Sequence, residues 1–211
     1  MRDEAFAQLT VAAKRGRAPL VRYDDEADFE ALRADARWAS LRAEAAAGIT
    51  ARRATLEAEL RELYEADQSE RRDANADWDA VSRNDAARRE RVTAIVAAGR
   101  ARVAADYVHA AMVFQHGDDV QTILQARAWA MKAVQLDPDE DQARWLVAAS
   151  TDRALMYAGK PQRYGTQFTR DEAGKWVLWE VDPAVTDAER LEWAVPSLAE
   201  AKAKVVELNN R

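Results

Sequence analysis

Residues 102–159 read RVAADYVHAAMVFQHGDDVQTILQARAWAMKAVQLDPDEDQARWLVAASTDRALMYAG, and this stretch decides the fold. Apolar residues recur at helical spacing, and the breaks fall where helix-ending and helix-starting residues cluster. Gly117 ends a first helix. Asp118, with Gln121 three residues on, predicts the N-cap of a second helix through TILQARAWAMKAVQL. Asp137-Pro138-Asp139-Glu140 predicts a third, with Asp as N-cap, Pro at the first helical position and Glu at the third. That helix ends at Gly159, with Pro161 behind it.

Ala110, Phe114, Gly117, Ala126, Trp129, Ala133, Ala143 and Gly159 give this stretch a likeness to helical hairpins of the tetratricopeptide (TPR) or Sel1-like kind, in which small residues let paired helices approach. About one and a half repeats are present, whereas a solenoid needs at least about three. The expectation is a mainly α fold, a helical-hairpin array inside a compact domain.

Upstream, neither Gly nor Pro occurs between Ile49 and Ala98. Leu56, Leu60, Leu63 and Tyr64 form an apolar stripe that continues by threes and fours through Asp67, Gln68, Arg71, Asn75, Trp78 and Asp85. An inward stripe that turns polar is leaving the core or lining a polar interior, and Trp78 points to the second. Asn84 or Asp85 is a candidate cap where the segment bends near Ser82, and Gly99 is the stop. Charged residues such as Arg61-Glu62 and Arg88 to Arg91 read as a solvated, ion-paired helix face. Further out, residues 1–48 read as an N-terminal helical appendage with a break at Gly16 to Pro19 and an end at Gly48. Residues 49–211 read as the main domain.

Downstream the composition changes. YGTQFTR, the tight DEAG and KWVLWEV predict one C-terminal β-hairpin near 164–181. Thr186 with Glu189, and Ser197 with Glu200, are two capping boxes around Val195-Pro196 and predict two closing helices.

Composition bounds the chemistry. The 211 residues carry 31 Lys+Arg against 37 Asp+Glu, a net charge of −6, which disfavours nucleic acid as a partner. The absence of cysteine excludes thiolate nucleophiles and sulfur-ligated zinc. The N-terminal residues carry early acids and no continuous apolar run, and no stretch reaches the ~20 apolar residues of a membrane span. Cytoplasmic location and no membrane partner are expected. No Gly-rich phosphate loop, nucleophile elbow, HExxH or dinucleotide fingerprint occurs, so no cofactor is expected.

Two histidines are present. His109 and His116, seven apart on one helix, lie roughly 10 Å apart along its axis, too far to share an ion with ~2 Å bonds. No metal site is expected. Asp106 is placed to orient His109 at i, i+3. His116, at a helix C-terminus between Gln115 and Gly117, is either a simple helix-dipole histidine or a general base or anion contact. Asp152 lies on the apolar stripe of Trp145, Ala149 and Met156, so it needs a buried partner: Arg153, or the Asp67-Gln68-Arg71 cluster. KPQRYGTQ, from Lys160 to Gln167, is the densest polar and aromatic cluster outside a regular helix.

Asp67-Gln68 with Arg71, Gln115-His116-Gly117, Asp152-Arg153, the run from Gly159 to Gln167, and Thr186-Asp187 with Arg190 before Val195-Pro196 and Leu198 together resemble a bacterial domain-of-unknown-function family. The resemblance spans about residues 55–205, with YGTQ and Gln-His-Gly its most diagnostic elements. It implies membership without naming a reaction. Its motif residues are polar and aromatic groups from distant segments, which points to a polar pocket rather than to helix packing alone. The expected catalytic residues are His116, as acid/base or anion contact, and Asp152, as its orienter or buried counter-ion. Expected ligand contacts are Gln68, Arg71, Gln115, Arg153, Gln162, Tyr164, Thr166 and Gln167, with Arg71 and Arg153 anchoring a carboxylate or phosphate. The ligand would be a small molecule or peptide. The alternative is a non-catalytic interaction module whose helical hairpins present a groove to a protein partner.

Overall fold

The computed structural model describes residues 2–73 and 75–210, which are mainly helical with one small two-stranded sheet. The chain divides into two compact units, one ending at Leu56 and the other beginning at Glu57.

The first unit holds α1 (Arg2–Arg15), α2 (Leu20–Asp25), a 3-10 turn (Ala27–Phe29), α3 (Glu30–Arg33) and α4 (Trp38–Thr55). Phe6, Tyr23, Trp38 and Leu41 form its core around Ala13 and Ala45. The helix expected to end at Gly48 runs through it to Thr55, so the boundary drawn there falls inside α4. Gly48 serves packing instead. A Cβ on it would lie 2.2 Å from the Ala13 carbonyl oxygen, and one on Gly16 would lie 2.2 Å from the Gly48 carbonyl oxygen. The pair of glycines lets the end of α1 cross α4 backbone to backbone.

The second unit begins with α5 (Ala58–Arg72) and α6 (Trp78–Ala97). The chain breaks between them, earlier than the bend expected near Ser82. Asp77 caps α6 by accepting from the amides of Asp79 and Ala80. Trp78 therefore starts a new helix, is 63% exposed and says nothing about the interior, while Asp85 lies buried within α6 instead of capping it.

α7 (Ala104–Gln115) is the central helix, with ten buried residues. It packs against α5, α6, α8 (Val120–Leu136) and α9 (Asp141–Tyr157). Ala110, Ala126, Ala130, Ala133 and Ala143 are fully buried where these helices meet, which is how small residues permit close approach. Leu60, Val92, Ile95 and Val113 fill one side of α7; Val108, Met112, Leu146 and Val147 fill the other. The caps shift from the expected positions. Asp119, not Asp118, accepts from the Thr122 amide to cap α8. Asp137 closes α8 and opens a turn whose carbonyl accepts from Glu140, so α9 starts at Asp141 rather than at Pro138. Pro138 suits the second position of that turn.

β1 (Phe168–Arg170) pairs antiparallel with β2 (Trp176–Leu178), Thr169 opposite Val177. The strands are shorter than the expected 164–181 span because Arg163, Tyr164 and Thr166 give their amides to Asp152 instead of to a ladder. α10 (Asp187–Glu192) and α11 (Leu198–Asn209) follow, each opened by its capping box, Thr186/Glu189 and Ser197/Glu200. No helix of the described residues is long and apolar enough to cross a membrane.

Candidate functional site

The C-terminal end of α7 presents His116 to the last turns of α5. Nδ1 of His116 lies 3.1 Å from Asp67 Oδ2 and 3.2 Å from Oδ1. Asp67 has no solvent exposure, whereas the His116 side chain keeps 18%. Burial pushes the Asp67 carboxyl upward, but His116, the Gln68 amide and the Arg71 charge outweigh it and hold the carboxyl below its ordinary value. An ionised carboxylate only accepts, so in the neutral ring the proton belongs on Nδ1 and Nε2 is the basic nitrogen. Gly117 follows because Thr122 packs there: a Cβ would come within 2.3 Å of its methyl. Asp152, expected to orient His116, has no hydrogen bond to it among the described residues; Asp67 holds Nδ1.

Around Asp67 lies a buried ion network that spacing alone did not separate from a surface pattern. Gln68 Nε2 donates to Asp67 Oδ2 at 2.8 Å. Arg71 donates through Nη2 to Asp85 at 2.6 Å and lies 3.6 Å from Asp67. Arg88 donates to Asp85 at 2.8 Å and pairs with Glu70. Asp85 and Arg88 are each 6% exposed, so the expected solvated face at Arg88 is part of the interior. Buried charges persist only when paired and hydrogen-bonded, and each carboxylate here meets a cation or His116.

Arg153, on α9, connects this cluster to the loop beyond α9. Its Nη1 donates to the Gln115 carbonyl and its Nε donates to Gln167 Oε1 at 2.9 Å. Gln115 is 2% exposed, and its own Oε1 is buried without a hydrogen-bond partner among the described residues. Burial lowers the Arg153 pKa; Tyr157 works the other way, and the nearby Arg71 charge adds a smaller lowering. Tyr157 itself donates to the Gly117 carbonyl.

Asp152 is fully buried and holds the loop. Oδ1 accepts from the amides of Arg163 (2.8 Å) and Tyr164 (3.0 Å), and Oδ2 accepts from the amide (3.0 Å) and hydroxyl (2.8 Å) of Thr166. Burial raises its carboxyl even against these donors. Gly165 has φ +86°, a left-handed conformation that lets the chain wrap one carboxylate. Gln162, also fully buried, donates to the carbonyls of Gln167 and Trp179 and accepts from the Gln167 amide. Gln167 Nε2 donates to the Ala149 carbonyl and to Thr166 Oγ1. Asp152, Gln162 and Thr166 are thus spent on the loop itself.

Tyr164 is held by the C-terminal elements. Its carbonyl accepts from buried Arg190, and its ring sits 6.4 Å from that of Trp193. No hydrogen bond or ring contact joins His116 to Tyr164 among the described residues. A separate cavity of about 310 Å³ lies beside the loop, lined by Trp145, Thr166, Phe168, Pro196 and Lys204. The polar residues around His116 connect to Gln167 through Arg153. Asp106 is engaged by main-chain amides. It accepts from the amides of Glu57, Arg102 and Val103 at the start of α7, while His109 stacks on Tyr64 at 4.4 Å.

Comparison of the chain with protein-family models, with curated proteins and with solved structures returns no match.

Proposed function

We propose that the His116 face is an acid/base site for a small ligand, carried on a helical scaffold of tetratricopeptide-like hairpins, and that the chain belongs to the bacterial family its motifs resemble. The observation that carries this reading is the His116–Asp67 pair. A fully buried carboxylate kept ionised holds one imidazole nitrogen, and the other has no hydrogen-bond partner among the described residues on a side chain that retains solvent access. A histidine that merely complements a helix C-terminus has no need of a buried carboxylate. Nε2 would take a proton from the ligand, with Asp67 stabilising the imidazolium formed, and return it in the second half of the reaction. Gln68 and Arg71 support Asp67; Arg153 and Gln167 form the neighbouring wall. Asp152, Gln162 and Thr166 are positioning residues for that wall.

The test is mass spectrometry of a small-molecule extract incubated with the wild-type protein, His116→Gln and Asp67→Asn. Compounds consumed by the wild type, untouched by His116→Gln and slowed by Asp67→Asn support the reading. No wild-type-specific change, or equal change with folded His116→Gln, overturns it.

A further inference from the structure

Beside His116 the charges do not close. Arg71 commits Nη2 to Asp85, while its Nη1 is buried with no hydrogen-bond partner among the described residues. Arg88 is absorbed by Asp85 and Glu70, and Asp67 by His116, Gln68 and Arg71. Arg153 has no carboxylate within ion-pairing distance among the described residues. Its contacts are a main-chain carbonyl and a glutamine oxygen, both neutral, and neither engages Nη2.

Both guanidinium groups also contact immediate neighbours of the same ring. Arg71 reaches Asp67, which holds His116 Nδ1; Arg153 grips the carbonyl of Gln115, the residue before His116. A partly buried cation without a counter-ion, close to a second cation with an orphaned N–H, is costly unless an anion completes it. The C-terminal carbonyls of α7 offset part of that cost through the helix dipole, but only by a fraction of a unit charge.

We infer that Arg71 and Arg153 form a clamp for one small oxyanion, a carboxylate or phosphate group of the ligand whose proton His116 exchanges. This rests on reading the His116 face as a ligand site and adds the ligand's chemical class. Guanidinium forks suit both groups because two N–H donors match two oxygens of either.

Arginine Nε–Hε and histidine ring NMR signals of the full chain, titrated separately with sodium phosphate and sodium succinate at constant ionic strength, test this. The expected result is saturable movement of the Arg153, Arg71 and His116 signals with at least one probe, at concentrations of roughly 10 mM or below. Arg153→Met should weaken that binding about tenfold or more, and Arg153→Lys, which keeps the charge but loses the fork, should fall between. Stronger binding of phosphate assigns a phosphorylated ligand; stronger binding of succinate assigns a carboxylate. Absence of saturation with both probes, or saturation confined to signals elsewhere, overturns the clamp. His116→Gln separates the two readings: anion binding retained in that variant leaves the clamp standing even if the extract assay finds no reaction.

Discussion

Nδ1 of His116 on α7 and the Asp67 carboxylate on α5 meet at 3.1 Å across 49 residues of sequence. The contact selects a tautomer. Nitrogen-15 spectra of the neutral ring should show the proton on Nδ1 in the wild type and a mixture of tautomers in Asp67→Asn. A wild-type ring carrying its proton on Nε2 would remove the pair as an orienting device. His116→Ala should cost about 1–3 kcal/mol of unfolding free energy, because it strips a buried acceptor of one of its partners. Arg71, still near Asp67, limits the loss.

Asp67 also sets a sign for pH dependence. Its carboxyl titrates lower in the folded chain than the ~3.9 of an unfolded aspartate. Its contribution to stability is therefore whole above about pH 4 and is lost as pH falls through the folded value. Asp152 runs the other way: its carboxyl is raised by burial, so the ionised form costs stability above the folded value and that cost disappears on acidification. Urea unfolding of wild type and Asp67→Asn from about pH 2.5 to 7 isolates the first effect. The gap between them should be flat near neutrality and close below about pH 4. A gap that widens on acidification would contradict the assignment.

Asp152 is predicted to act through the fold. Asp152→Ala leaves the part-buried amides of Arg163, Tyr164 and Thr166 without their acceptor, at a cost on the order of 3 kcal/mol. Hydrogen exchange should speed up at Tyr164 and Thr166 first, and the Arg153–Gln167 contact should loosen with them. Unchanged protection of those amides in the variant would mean that some other group anchors the loop.

Helix periodicity is local, so α7, α8 and α9 are legible in sequence, whereas their caps drift by one to three residues. In Asp118-Asp119 two acids compete, and Asp119 wins because its oxygen reaches the Thr122 amide; Asp137 closes α8 and opens a turn, which moves the N-cap position of α9 to Glu140. The polar turn of the α5 stripe at Asp67 was visible, but its partner was not, because no local spacing links α5 to the end of α7. Asp85 and Arg88 at i, i+3 form the same pattern on a wet face as in an interior. Only the packing of α6 against α5 decides between them. Tyr164 to Gln167 carry strand-forming residues, yet the buried Asp152 takes the amides of Tyr164 and Thr166, and Gln162 takes that of Gln167.

Gly48 isolates a packing effect from a backbone one, since it sits within α4 rather than in a left-handed turn. On an open helix face, Gly→Ala would stabilise by about 1 kcal/mol. Here the added methyl would meet the carbonyl oxygen of Ala13 at 2.2 Å and that of Lys14 at 3.0 Å, and neither belongs to a flexible side chain. Separating α1 from α4 enough to admit it should outweigh the propensity gain, for a net loss of roughly 1–3 kcal/mol. Gly16→Ala combines the same kind of clash with a φ of +61° and should lose more. Hydrogen exchange of amides in α1 and α4 reads both variants. Protection in Gly48→Ala equal to or above wild type would mean that the two helices do not approach at these glycines.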